Sequence, residues 1–121
     1  MSTATWASWL ITCKCQPEDY DKIVTLAAEM SAHFEANEPR TTHFEWSVSD
    51  DHSQVHIHER YADSEQALAH MGTFGEKFGE RFMSLLTPQA VVVYGHPSSA
   101  LSSALEGLSP VHMIPFEGFA R

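Results

Sequence analysis

Two stretches of alternating polar and apolar residues most constrain how this chain can fold. "TTHFEWSVS" (41–49) and "QVHIHERYA" (54–62) flank the polar sequence "DDHS" (50–53). Alternation with a period of two is typical of β-strands with one buried face, and two such runs around a short polar loop predict a hairpin. Because a slip of one residue would exchange the buried and exposed faces of a strand, the register of this hairpin decides what the chain can build.

If the hairpin closes symmetrically about Asp51 and His52, directly opposed side chains separate into an apolar and a polar face. The apolar face pairs Val48 with Val55, Trp46 with Ile57, Phe44 with Glu59, and Thr42 with Tyr61. The polar face pairs Ser47 with His56, Glu45 with His58, and His43 with Arg60. The apolar face therefore contains a single acid, Glu59, which we expect to lie under the helices.

The rest of the chain predicts helices and strands in alternation. A strand over Trp6–Cys13 precedes a helix that begins near Pro17 and ends at 37–39. Asp63 is a suitable N-cap for a second helix, with Gln66 at its third position, and Gly72, Gly75 and Gly79 weaken that helix. The apolar stripes are Tyr20, Ile23, Val24, Ala27, Met30 and Phe34 in the first helix, and Ala67, Met71, Phe74, Phe78, Phe82 and Leu85 in the second.

The C-terminal third predicts one more strand, a short helix and an extended tail. "PQAVVVYGHP" (88–97) is nearly continuously apolar, as expected of a strand covered on both faces. "SSALSSALEGL" (98–108) predicts a short helix or turn, and Pro115 makes the tail an edge or irregular strand.

This order predicts one α+β domain over residues 1–121. The elements follow the pattern βαββαβ plus a C-terminal helix and strand, which is a ferredoxin-like split β-α-β sandwich with an antiparallel sheet. Two main helices can cover only one face of such a sheet. A second subunit is the usual cover for the other face, so we expect a homodimer.

Composition narrows the classes of partner. The chain has 121 residues with 43% hydrophobic residues and a formal net charge of −9. Nucleic acid and anionic membranes both select basic surfaces, so we expect neither as a partner. "MSTATWASWLITCKC" (1–15) lacks the basic start of a signal peptide, and we expect a cytoplasmic protein with Cys13 and Cys15 as free thiols.

A buried Glu59 needs a partner, and His70 is the natural candidate because it lies on the inward side of the second helix. The pair could form a structural hydrogen bond that only completes the core. Alternatively, Glu59 and His70 could be the convergent polar groups of a ligand pocket with apolar walls. A third alternative is that the two side chains do not meet.

The polar face of the hairpin also allows several interpretations. His56 and His58 with Glu45 could supply mixed metal ligands, but two histidines on one face occur often by chance. We therefore expect no metal site and assign this face, including His43, to a subunit interface or to solvent. As a further alternative, protonation of these histidines near about pH 6 could loosen a sensor dimer. No nucleotide-binding or hydrolase motif is present, and neither thiol has a neighbouring His for nucleophilic catalysis.

Three segments resemble one family. "IHERYADSEQALAHM" (57–71) resembles the strand-to-helix segment of the antibiotic biosynthesis monooxygenase-like (ABM) proteins, and "VVVYGHPSSALSSALEG" (91–107) and "EGFAR" (117–121) resemble the C-terminal part of one branch. The resemblance implies a dimeric α/β barrel in which two sheets face each other. It also implies a cavity in each subunit and oxidation of quinol- or phenol-type aromatics by O₂ with no cofactor, flavin or metal. Haem-degrading relatives fit poorly, because "TFGEKFGERF" (73–82) contains no histidine.

The resemblance also implies a set of site residues. Glu59, Tyr61 and His70 match the recurring acid, aromatic and histidine, whereas Trp46 is a pocket residue by strand position only. We hypothesise that His70 is the catalytic base and that Glu59 orients it. A small aromatic ligand would then lie against substrate-binding residues Trp46, Phe44, Tyr61, Phe74 and Phe78. The alternative is a non-catalytic small-molecule-binding or structural homodimer with a filled core.

Overall fold

The computed structural model describes residues 4–121. Residues 1–3, which begin the segment that we do not expect to be a signal peptide, lie outside the described residues. The strands are β1 (Ala7–Lys14), β2 (Thr41–Val48), β3 (Gln54–Tyr61), β4 (Thr87–Gly95) and β5 (Val111–Met113). The helices are α1 (Tyr20–Asn37), α2 (Ser64–Lys77), α3 (Gly79–Leu85) and α4 (Ser99–Leu105).

One sheet in the order β2-β3-β1-β4-β5 organises the molecule. Strands β1 to β4 pair antiparallel, and this part of the sheet confirms the ferredoxin-like α+β prediction. The fifth strand departs from the predicted antiparallel sheet, because β5 pairs parallel to β4. A parallel neighbour needs a crossover connection, which α4 provides.

The register of the β2–β3 hairpin is as predicted at six positions. Phe44 lies opposite Glu59 and Trp46 lies opposite Ile57. The prediction was wrong only at the open end, where Thr41 rather than Thr42 lies opposite Tyr61, because an irregularity between Thr41 and His43 shifts the pairing. Glu59 consequently faces the helical layer and is 4% exposed.

The helices differ from the predicted stripes in two places. The buried residues of α1 are Ile23, Leu26, Met30 and Phe34, whereas Val24 is 45% exposed. The single long helix predicted after Asp63 is two helices, because the chain leaves helical geometry at Phe78, directly before Gly79. The N-cap prediction is confirmed, since the Asp63 carboxylate accepts a hydrogen bond from the Gln66 backbone N–H at 2.8 Å.

Strand β4 was expected to be covered on both faces, and a single chain covers only one of them. Val91 and Val93 are buried under the helices, but Ala90 is exposed and Val92 and Tyr94 are only half-buried. The helices lie on one side of the sheet, so the side away from them is uncovered in a single chain. Among the described residues, no helix is both long and apolar enough to cross a membrane.

The backbone conformation of Gly95, at the end of β4, predicts that a larger residue there destabilises the fold. Its φ is +100°, and a Cβ there would lie 2.6 Å from the Trp6 carbonyl oxygen. We expect Gly95→Ala to lower the free energy of unfolding by more than about 1 kcal/mol in urea denaturation. Gly72→Ala is the matched control, because nothing lies within 4 Å of its Cβ position. In helix α2 that change should stabilise the protein by about 0.5–1 kcal/mol. Equal effects of the two substitutions would contradict this account.

Candidate functional site

A cavity of about 400 Å³ lies between the sheet and the helices. Its walls are apolar, and Glu59 and His70 are the charged or titratable side chains that line it. Met83 and Leu108, which also line it, are 59% and 45% exposed, so the cavity reaches the surface beside them. The other lining residues are Trp9, Ile11, Met30, Phe44, Ile57, Met71, Phe74, Phe82, Pro88, Val91, Ala104, Leu105 and Gly107.

Glu59 is held by two side chains through the same oxygen atom. The Tyr61 hydroxyl donates to Oε1 of Glu59 at 2.5 Å, and Nε2 of His70 lies 3.1 Å from that oxygen. Oε2 of Glu59 has no hydrogen-bond partner among the described residues. Because Glu59 lines the cavity, this oxygen is a candidate hydrogen-bond acceptor for a ligand.

His70 contacts a second carboxylate that we did not predict. Its Nδ1 lies 2.9 Å from Oε1 of Glu38, so each ring nitrogen faces a different acid. Oε1 of Glu38 also accepts a hydrogen bond from the Thr41 hydroxyl at 2.8 Å, as Oε1 of Glu59 does from Tyr61. An ionised carboxylate can only accept hydrogen bonds, so two such groups, one at each ring nitrogen, favour the form of His70 that carries a proton on both nitrogens.

The titration behaviour agrees with this arrangement. Burial disfavours the charged ring, but the hydrogen bonds and negative charges of Glu59 and Glu38 outweigh it and raise the pKa of His70. Burial, together with the charge and hydrogen bond of Glu59, raises the pKa of Tyr61 well above 10. Tyr61 therefore remains a hydrogen-bond donor, and two acids, Glu38 and Glu59, face the one histidine ring.

The structure brings only some of the predicted aromatic residues to the cavity. Phe44 and Phe74 line it, as does Phe82, which we assigned only to the helix stripe. Trp46 does not line it, because its ring packs on Phe82, with the ring centroids 6.0 Å apart.

Tyr61 and Phe78 are also absent from the cavity wall. Tyr61 is fully buried, with its ring against Trp9 and His70. Phe78 lies at the break between α2 and α3 and packs on Phe34 of α1 instead, with the ring centroids 5.7 Å apart. Of the five predicted aromatic residues, Phe44 and Phe74 therefore line the cavity, and Trp46, Tyr61 and Phe78 do not.

The thiols and the polar hairpin face offer less chemistry. Burial raises the pKa of Cys13 to about 12, which suppresses the reactive thiolate. The Cys15 thiol donates to the His52 carbonyl oxygen at 3.2 Å, and burial raises its pKa too. Across residues 4–121, no three His, Cys, Asp or Glu side chains are grouped so as to hold a metal ion.

Comparison with solved structures confirms the fold. MupZ from Pseudomonas fluorescens superposes with a TM-score of 0.85 at 17% identity, over 97% of this chain and 95% of that one. A protein from Caulobacter crescentus, named as a candidate antibiotic biosynthesis monooxygenase, superposes with a TM-score of 0.65 at 20% identity, over 78% and 91%. A protein of the same designation from Nitrosomonas europaea superposes with a TM-score of 0.64 at 17% identity, over 79% of this chain and 94% of that one.

These similarities show that the chain has the fold of the ABM-like proteins that we recognised from its sequence. Neither the models of known protein families nor the curated protein sequences contain a match.

The buried cluster predicts a pH-dependent stability. Because the pKa of folded His70 is raised above the ordinary value of 6.5, its contribution is complete below that value and is lost as pH rises through the raised pKa. We expect the free energy of unfolding, measured in urea, to fall as the pH rises above 6.5, and we follow it below the ordinary cysteine pKa of 9.0.

The variant His70→Gln should lack this fall and should be less stable at about pH 6 by about 3 kcal/mol or more, because it leaves two buried acids without their cation. His112→Gln, in the exposed tail, is the control and should keep the wild-type pH dependence. The same pH dependence in His70→Gln as in wild type would refute the assignment.

Proposed function

We propose that the protein is a cofactor-independent monooxygenase of quinol- or phenol-type aromatic molecules and that Glu59 is its catalytic base. The observation that supports this most is a carboxylate with one oxygen that no described residue hydrogen-bonds, in a cavity that opens to solvent and whose other walls, apart from His70, are apolar. Our hypothesis from the sequence made His70 the base. Both of its nitrogens are engaged by carboxylates, so we now assign that role to Glu59.

The cavity suits a flat, largely apolar molecule that presents one hydroxyl group to Glu59. Phe44, Phe74 and Phe82 provide aromatic walls, and Ile57 and Val91 complete the floor on the sheet side. A substrate hydroxyl at Oε2 of Glu59 would donate its only proton there. A carboxylate group on the substrate would be repelled, because the cluster already carries a net negative charge.

Proton removal is the step that the protein must catalyse. Glu59 accepts the phenolic proton, and the adjacent imidazolium of His70 stabilises the negative charge that develops on the substrate oxygen. The resulting anion is electron-rich enough to transfer one electron to O₂. The aryloxyl radical and superoxide then combine, forming a carbon–oxygen bond on the ring.

The reaction ends with cleavage of the O–O bond. The peroxide takes up the phenolic proton from Glu59 and becomes a hydroperoxide. The ring carbon then loses its hydrogen as a proton while the O–O bond breaks, so that a quinone carbonyl forms and the released hydroxide takes up that proton to become water. One oxygen atom of O₂ is therefore in the product and the other is in water, and the substrate itself supplies all the electrons. The apolar walls limit access of water to the radical pair.

A second candidate function is a redox-neutral proton transfer in the same cavity. The cluster contains a proton acceptor, Glu59, and a proton donor, the imidazolium of His70, within 3.1 Å of each other. Such a pair can remove a proton from one atom of a ligand and protonate another without oxygen. Oxygen dependence separates the two candidates.

Oxygen uptake tests the proposed function. With a panel of hydroquinones and naphthols, we expect the wild type to consume one O₂ per quinone formed in an oxygen electrode. Glu59→Gln should lower kcat by at least about 100-fold, because it removes the base while keeping the shape of the side chain. The control is Glu29→Gln, which lies on the surface in an ion pair with Arg81.

Unchanged turnover in Glu59→Gln would refute the base assignment. No oxygen uptake with any panel member, combined with Glu59-dependent deuterium exchange into aryl ketones under argon, would replace the oxygenase by the redox-neutral function.

We also propose that the protein is a homodimer joined through the uncovered face of the sheet. On that face the Arg60 guanidinium lies 4.0 Å from the centre of the Trp6 ring, and Leu10, on the central strand β1, is half-buried without a helix above it. The three residues border a shallow pocket with Ser8, His58 and Tyr94. A second copy would bury this mixed aromatic and polar surface.

The dimer is tested by Leu10→Asp, which places a charge at the centre of the proposed interface. Light scattering coupled to size exclusion should give twice the chain mass of 13.5 kDa for wild type and the single mass for the variant. Val24→Asp changes a half-exposed apolar residue on the opposite, helical side and should remain dimeric. A monomeric wild type, or a dimeric Leu10→Asp, would contradict the proposed interface.

A further inference from the structure

The second acid beside His70 is placed by the local sequence "EPRT" (38–41). Helix α1 ends at Asn37, because Pro39 disfavours helical geometry at Glu38, whose φ and ψ are −128° and 77°. The Glu38 carbonyl oxygen then accepts the Thr41 N–H at 3.0 Å, which closes a turn with Pro39 at its second position. This turn directs the Glu38 side chain beneath α2.

The turn is also anchored to the start of α2. Nε of Arg40 donates to the Asp63 carboxylate at 2.9 Å, and the Ala62 N–H donates to the Arg40 carbonyl oxygen at 2.8 Å. Glu38 itself is 6% exposed and does not line the cavity. It therefore acts on the site only through His70.

We propose that Glu38 is a positioning residue, which orients the His70 ring and keeps it an imidazolium so that Glu59, not His70, accepts a proton in the cavity. The part of this inference that concerns proton acceptance rests on the proposed function. The ionisation of His70 does not, because it is argued from the two carboxylates that lie 2.9 and 3.1 Å from its ring nitrogens.

The surroundings of His70 allow this assignment. The titratable groups that face it are Glu59 and Tyr61 of β3 and Glu38 of the turn. Helix α1 and strand β2 contribute Phe34 and Phe44, whose ring centroids lie 4.1 and 5.7 Å from that of His70 and carry no charge. Without Glu38, Nδ1 would lose the one acceptor that the described residues give it, and the ring could turn and present a neutral nitrogen to the cavity.

The test is the protonation of His70, followed by long-range ¹H–¹⁵N NMR in the full chain labelled with ¹⁵N. In wild type, both ring nitrogens should be protonated at about pH 7. In Glu38→Gln, the titration midpoint of His70 should fall by about one pH unit or more, because a buried negative charge beside the ring is lost. Glu38→Asp keeps the charge and should restore part of the shift, whereas the control Glu29→Gln should not move the midpoint.

If His70 of the wild type were neutral at about pH 7, that measurement alone would overturn the inference. So would a midpoint in Glu38→Gln equal to that in Glu29→Gln. For a quinol that the protein oxidises, we expect the alkaline limb of the pH profile of kcat/KM to move to lower pH in Glu38→Gln. The shift should equal the change in the His70 midpoint seen by NMR. If no quinol is turned over, the proposed function fails while the NMR result still decides the role of Glu38.

Discussion

The structure depends on the burial of one carboxylate. Strand alternation directs Glu59 toward the helical layer, where it is 4% exposed beside the apolar side chains of the core. A charged group in such a place must be paired or it loses its charge. The Tyr61 hydroxyl and the His70 imidazolium pair it through Oε1, and Glu38 balances the far side of His70. The C-terminal end of α1, the end of β3 and the middle of α2 therefore meet at one buried cluster.

The same arrangement determines what the cavity can do. Oε1 of Glu59 is occupied by the protein, so only Oε2 is available to a ligand. All other side chains around the cavity, apart from His70, are apolar or small. A cavity of this kind selects by shape and by one hydrogen bond, and it suits the removal of a proton from a weak acid more than the binding of a polar or anionic molecule.

Much of this could be predicted from the sequence, because the spacing of apolar residues in strands and helices shows which side chains share a face. Alternation placed Glu59 inside, and helical spacing placed His70 opposite it. Glu38 could not be found in this way, because it follows the last turn of α1 and belongs to no periodic pattern. Its signal is the following Pro39, which marks a turn but not the direction of a side chain.

The aromatic walls could be predicted only in part, for a similar reason. Phe78 was assigned to a continuous helix, but the chain breaks there and turns the ring toward Phe34. Trp46 lies on the correct face of β2, yet Phe82 of α3 packs on it, and the position of α3 depends on that same break. Local patterns give the face of an element, whereas the wall of a cavity depends on how elements pack.

The central claim is that Oε2 of Glu59 is the acceptor for a substrate proton. A crystal structure with a bound naphthol tests it most directly. The account predicts the naphthol ring between Phe44 and Phe74, with its hydroxyl oxygen about 2.5–3.0 Å from Oε2 of Glu59. A naphthol hydroxyl that points to the cavity mouth, or that contacts a nitrogen of His70 instead, would contradict it.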